Sequence, residues 1–462
     1  MLFSSLTFLL LFLPICLFCY FIVRDIRIQN IILLIFSLIF YSWGEPIYVF
    51  LMLISISITY VFGIIIDRKK EEKKKRKFYF LFSILLLILS LLFFKYCNFI
   101  IQNINVLLKL NLSKLSLPLP IGISFYTFQA LSYLIDLYKG KIKVQKNYLS
   151  LALYISLFPQ LVAGPIVRYE TIEAEIHKRG STLEDVVLGF KRFILGLSKK
   201  VLFANSMALI ADTIFEHYSQ YGTFLLWLGG GAYTLQIYYD FSGYSDMAIG
   251  LGRVFGFHFL ENFNHPYIAT SITDFWRRWH ISLSSWFRDY VYIPLGGSRV
   301  STGKHIRNIL VVWFLTGLWH GASWNYVLWG LYFACLLLIE KFLLKNKIEK
   351  IPLFIRHVIT MIFVIVSWVI FRTESFQDLI PILTKMIVWS SSKSNFFYQH
   401  AYLFMSFYFI LPAILFCIPF SFKKVNHPVL RNGVNLFYFI LFVLDITFII
   451  GSSYNPFIYF RF

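Results

Sequence analysis

The run Leu315-Thr316-Gly317-Leu318-Trp319-His320-Gly321-Ala322-Ser323-Trp324-Asn325 sets one histidine between two apolar helical segments, with glycines close on both sides. An ionisable group in such a place is expensive and by default marks a functional path. Histidine is the side chain whose unperturbed pKa permits proton exchange near neutral pH, so His320 suits a general base acting on a hydroxyl. Gly317 and Gly321 would let another backbone or a ligand approach closely. A buried histidine that only hydrogen-bonds a neighbouring helix fits the same window, and the local pattern leaves both readings open.

A second polar cluster is Asp274-Phe275-Trp276-Arg277-Arg278-Trp279-His280-Ile281-Ser282-Leu283-Ser284. Arginines interleaved with tryptophans suit a helix at a membrane interface. Guanidinium groups also grip phosphates in bidentate fashion, which would serve a nucleotide-bearing acyl donor. A third cluster, Tyr238-Tyr239-Asp240-Phe241-Ser242-Gly243-Tyr244-Ser245-Asp246, puts two carboxylates next to an apolar segment. With His320 these could form a proton path, so a proton-coupled secondary transporter stays open. Such a fold predicts internal repeats, and none is visible. The chain has no GxSxG elbow, Walker A loop, HExxH or CxxC pair, which weighs against hydrolase, ATP-driven pump and metalloprotease readings; no metal site is expected.

The elements that must position these residues are apolar helices. Of 462 residues, 58% are hydrophobic, 20% aromatic and 14% charged, against about 25% charged in soluble domains. Apolar runs recur along the whole chain and predict roughly ten to twelve spanning helices, with shorter segments such as 307–320 re-entrant or interfacial. The polar stretch 258–306 reads as surface or half-buried helices. An all-α polytopic membrane protein follows, as one domain over residues 1–462. The first segment has no basic leader or small-residue cleavage site and is expected to remain as a helix.

The formal charge of +20 needs no nucleic acid, because Lys and Arg collect in cytoplasmic loops facing anionic lipid. The densest run, 67–77, sits between apolar segments. Together with Arg24 and Arg27 it places the amino terminus outside the cytoplasm. Lys423, Lys424 and Arg431 before the last apolar segment place the carboxyl terminus outside as well. Cys16, Cys19, Cys97, Cys335 and Cys417 lie in or beside apolar runs and are expected to pack rather than pair or react.

These motifs together resemble the membrane-bound O-acyltransferase family, closest to the bacterial branch that serves alginate and peptidoglycan O-acetylation. Phe158-Pro159-Gln160-Leu161-Val162-Ala163-Gly164-Pro165 is similar to that branch's FPxLxAGP element, Asp274–Arg299 to its longest signature, and Leu315–Asn325 to its GLWHG-A element. The resemblance implies a bundle around a central funnel, with acetyl-CoA entering from the cytoplasm as donor substrate and no permanently bound cofactor. It puts His320 at the family's essential histidine and His280 at a second position that usually holds Asn or His. Trp276, Arg277, Arg278, Trp319 and Asn325 become candidate substrate-binding side chains, with the arginines near the donor mouth.

The last six residues, Phe457-Ile458-Tyr459-Phe460-Arg461-Phe462, resemble the aromatic carboxyl-terminal motif of the small membrane partner in teichoic-acid D-alanylation. The resemblance implies that the tail 453–462 lies outside the cytoplasm and that Tyr459 takes acetyl at its hydroxyl. A periplasmic, esterase-like O-acetyltransferase would then pass it to a cell-envelope polysaccharide, peptidoglycan first, alginate or another exopolysaccharide second. A phenol is a reasonable relay, since its pKa of about 10 makes its ester more activated than a sugar ester. The implied location is the bacterial inner membrane.

Overall fold

The computed structural model describes residues 1–373, 375–392, 395–419, 428–452 and 454–458. Within them the secondary structure is helical, with no β-strand. Six helices are long and apolar enough to cross a bilayer: Tyr48–Arg68, Lys73–Leu108, Leu183–Glu216, Trp324–Leu343, Leu353–Arg372 and Asn432–Gly451. Three shorter apolar helices are Phe8–Ile22, Ile26–Ser42 and Phe404–Leu415. The protein is an all-α, multi-pass membrane protein.

Besides these nine apolar helices, some of the apolar segments expected from hydropathy are wrapped by protein. In Ile123–Tyr138 nearly every residue is buried inside the protein. Tyr148–Ser156 is a nine-residue helix, seven of whose residues are buried. An apolar helix wrapped by protein and one wrapped by lipid look alike in hydropathy. By contrast, only 6% of the apolar window of Asn432–Gly451 is buried. The segment 258–306 forms short helices, Pro266–Ile268, Ile272–Arg278 and Ile281–Phe287, with a π-helical turn Arg288–Tyr292, as its polarity predicts. All five cysteines are free.

The chain divides into two compact units. The first comprises Met1–Phe193 and Ser245–Leu260. Asp25 opens its second apolar helix by accepting the Arg27 N–H at 2.7 Å. At 21 residues, Tyr48–Arg68 is about 31 Å long, the thickness of a hydrocarbon core. The basic run beyond it is laced by exposed pairs, Lys70–Asp67, Lys69–Glu72 and Lys75–Glu72, each 2.5 Å; such pairs contribute little stability. Inside this unit the Arg179 guanidinium donates to Asn30 Oδ1 at 2.6 Å and the Phe255 carbonyl at 3.0 Å. The FPQLVAGP motif is a close-packed turn here: a Cβ on Gly164 would come within 2.5 Å of the Gln160 Cα.

The second unit comprises Ile194–Tyr244 and Glu261–Phe462. Its centre is the antiparallel pair Thr302–His320 and Trp324–Leu338, joined by Gly321-Ala322-Ser323. A Cβ on Gly317 would collide with the Tyr326 carbonyl, and one on Gly330 with the Trp313 carbonyl. Small residues therefore bring two backbones together, the first of the two uses that the glycines suggested. Against this pair packs an aromatic core. Trp276 lies 4.6 Å from Trp313 and 4.9 Å from Phe333, Trp279 lies 4.8 Å from Trp368, and Trp329 lies 5.1 Å from Phe371, centroid to centroid. Lys423 and Lys424, used above for orientation, lie outside the described residues.

Candidate active site

His320 is the last residue of its helix. The chain turns at Gly321, where a Cβ would collide with the Tyr326 ring, so the turn stays tight and the imidazole is delivered to the interior. It is 6% exposed. Its ring meets Trp319 at 4.9 Å, Trp329 at 4.9 Å and Phe371 at 5.2 Å, with interplanar angles of 79°, 84° and 83°. Three near-perpendicular aromatic contacts fix the plane of the imidazole.

His280 is 1% exposed and arrives from a different direction. Its backbone has φ 44° and ψ 55°, the left-handed region, just before the helix Ile281–Phe287. A non-glycine residue there stores about 1 kcal/mol or more of strain, which persists where the surroundings hold it. The holder is Asn262. Its Oδ1 accepts the His280 Nδ1–H at 3.1 Å, the Ser282 N–H at 3.2 Å and the Ser282 Oγ–H at 2.9 Å, while its carbonyl accepts the Ile281 N–H at 2.9 Å. An oxygen acceptor on Nδ1 places the proton there and leaves Nε2 with its lone pair. Nε2 is buried and has no hydrogen-bond partner among the described residues. Burial first, and the nearby His320 second, hold the His280 pKa well below the usual histidine value. The ring is a neutral base.

The two histidines meet across one indole. Trp319 lies 5.9 Å from the His280 ring and 4.9 Å from the His320 ring. Phe241, 4.5 Å from His280, adds another apolar wall. Two imidazoles from sites 40 residues apart in sequence thus share one indole in aromatic surroundings, an arrangement suited to taking a proton from a hydroxyl. Among the described residues no group of three His, Cys, Asp or Glu side chains gathers as metal ligands.

The remaining candidates divide. Trp319 touches both histidine rings. Trp276 lies one shell further out, in the aromatic core against Trp313 and Phe333. Asn325 uses its amide to donate to the Thr373 carbonyl, tying two helix ends together. Arg277 is exposed, and Arg278 pairs with Asp274 at 2.8 Å on its own helix. The helix Thr223–Val254 runs on through Asp240 and Asp246, instead of ending before them as hydropathy suggests. Each carboxylate has a cation: Lys200 at 2.7 Å from Asp240, and Arg192 at 2.9 Å from Asp246. Tyr459 lies outside the described residues.

Residues 142–380, which hold both histidines, Asn262 and most of the aromatic walls, match the sequence model of MBOAT, the membrane-bound O-acyltransferase family. The chain belongs to this family. Among its relatives is a probable alginate O-acetylase of Pseudomonas aeruginosa, 41% identical over 82% of this chain and 73% of the relative. The peptidoglycan O-acetyltransferase of Helicobacter pylori is 31% identical over 100% of this chain and 98% of its own length. The teichoic acid D-alanyltransferase of Bacillus subtilis is 31% identical over 56% and 69%. The MBOAT assignment makes the protein a membrane acyltransferase.

Within the MBOAT motifs, sequence reading found both histidines and missed Asn262. That residue sits in Glu261-Asn262-Phe263-Asn264, 18 residues before His280. Between Glu261 and Phe263 it carries no local signal that a polar turn would not also produce.

Proposed function

We propose that the protein moves an acetyl group from acetyl-CoA, reached from the cytoplasmic side, onto the hydroxyl of Tyr459, for delivery by a periplasmic esterase-like transferase to a cell-envelope polysaccharide. The observation that carries the chemistry is the meeting of His280 and His320 across Trp319. In the transfer, the phenolic O–H loses its proton to the His320 imidazole as its oxygen attacks the thioester carbonyl. A C–O bond forms, the C–S bond breaks, and the imidazolium returns the proton to the departing CoA sulfur. His280, held neutral and oriented by Asn262, presents the Nε2 lone pair as an acceptor for an incoming N–H or O–H. The aromatic walls limit wasteful hydrolysis of the thioester.

The reading of Tyr459 draws support from its neighbours. Ile458 is 4% exposed and belongs to the same apolar core as Trp276, Trp279 and Trp329. Peptidoglycan is the first choice of final acceptor because the Helicobacter relative matches from end to end. The higher identity of the alginate O-acetylase favours an exopolysaccharide as the second reading. Orientation follows the basic loops, with both termini outside the cytoplasm of a bacterial inner membrane.

The test is to incubate the purified protein with isotope-labelled acetyl-CoA and map the label by peptide mass spectrometry, beside His320→Ala. Label on Tyr459 that disappears in the variant is the expected result. Label elsewhere, independent of His320, overturns the tyrosine step. Measuring O-acetyl groups on peptidoglycan and on secreted polysaccharide in a strain lacking the protein decides between the two polymers.

A further inference from the structure

The ion pair Lys200–Asp240 takes no part in the chemistry above, yet it lies deep in the second unit. Its side chains are 3% and 2% exposed, with Nζ 2.7 Å from Oδ1. Removing two charges from water is costly, and the cost is offset only where further hydrogen bonds satisfy them. Here those bonds come from the carboxyl-terminal tail. Lys200 Nζ donates to the Pro456 carbonyl, and the Ile458 N–H donates to Asp240 Oδ2 at 2.8 Å.

Three further contacts bring the tail to the same place. The Phe457 ring lies 5.7 Å from the Lys200 ammonium and 5.3 Å from the Tyr244 ring. Asn205 Nδ2 donates to Asn455 Oδ1 at 3.3 Å, and Tyr454 donates to Asp212 Oδ2. Lys200 projects from a π-helical segment, Lys199–Ala204, a local widening of the helix often found where a side chain is re-aimed for function. Just before it, Ser198 Oγ donates to Asp445 Oδ2 at 2.7 Å and ties down the helix that carries the tail.

We propose that Lys200 and Asp240 form a clamp on the main chain of the tail that fixes the register of Pro456–Ile458, and so the depth at which the next residue is offered. Both charged contacts go to backbone atoms, so the clamp holds register without reading side chains. The purpose assigned to this register rests on the reading of Tyr459 as acyl acceptor; the seating itself does not.

Carboxypeptidase trimming of the full-length protein in detergent, followed by intact mass, reads the seating directly. The variant Lys200→Met/Asp240→Leu removes both charges, so that neither is left alone in the interior. The variant Lys200→Gln/Asp240→Asn takes away both charges with side chains of nearly the same shape, which keeps the question answerable if the Met/Leu variant fails to fold. In the parent protein trimming should stall at Ile458, the outermost clamped residue. In either folded variant it should pass that point about tenfold faster or more, the change expected from losing a hydrogen bond to a charged group, and acetyl label on Tyr459 should fall with it. Unchanged trimming in a folded variant overturns the clamp, whatever happens to the label. Faster trimming with no label on Tyr459 even in the parent supports the clamp and overturns the relay instead.

Discussion

Asn262 Oδ1 accepts the Nδ1–H of His280 at 3.1 Å, and so decides which nitrogen of a buried imidazole stays basic. The same oxygen takes two further hydrogen bonds from Ser282. Asn262 therefore positions the left-handed turn and the tautomer together. Replacing it by Leu should lower kcat about tenfold, the worth of one buried hydrogen bond, with KM for acetyl-CoA unchanged. Asn262→Asp sets a carboxylate against the ring and should move the acid limb of the pH–rate profile upward. Rates and profiles like the parent's in both variants would show that His280 does not depend on this partner.

The depressed His280 pKa also makes stability depend on pH. Below the unfolded histidine value of about 6.5, the unfolded chain takes up a proton that folded His280 refuses. Stability from this group is thus fully present above about pH 6.5 and is lost progressively as pH falls below it. Burial depresses His305 and His400 in the same direction. Thermal unfolding in detergent between pH 5 and 8 should show the loss on acidification, and His280→Gln should weaken the slope without abolishing it. A slope unchanged in that variant would contradict the assignment.

His320→Ala should lower acetyl transfer by at least about a hundredfold, the lower range for a positioned general base. Acetyl-CoA binding, measured by calorimetry, should persist, because the aromatic walls remain. Loss of binding in a folded variant would make His320 a donor contact rather than a base.

Gly317 and Gly330 let the two central helices touch. Gly330→Ala inserts a methyl against the Trp313 carbonyl and should destabilise the protein by about 1–3 kcal/mol, read as a lower thermal midpoint. An unchanged midpoint would mean that the crossing has slack.

Much of this site was legible in the sequence. His320 stood out because an ionisable group between apolar segments needs a reason, whereas His280, inside a polar cluster, was marked only by the family resemblance. What stayed hidden was set by distances between remote segments. Asn262 reaches His280 across a loop, Lys200 meets the tail more than 250 residues later, and no local pattern encodes either meeting. The i,i+4 pairing of Arg278 with Asp274, one turn earlier, could by contrast be read from the spacing alone. Hydropathy likewise does not say whether protein or lipid covers a helix such as Ile123–Tyr138.

The positive φ at position 280 has a consequence for which residues can stand there at all. Glycine tolerates that backbone freely, Asn, Asp and His tolerate it better than other side chains, and β-branched residues scarcely do. The alphabet at 280 is thus narrowed by main-chain geometry before any chemistry is chosen. Asn and His, the pair that the resembled family uses there, are two of the short menu that also offers a hydrogen-bonding side chain without a fixed charge. Selection at this position would then act on two filters in series, and a screen of all twenty residues for thermal stability alone should already rank Gly, Asn, Asp and His above the β-branched residues.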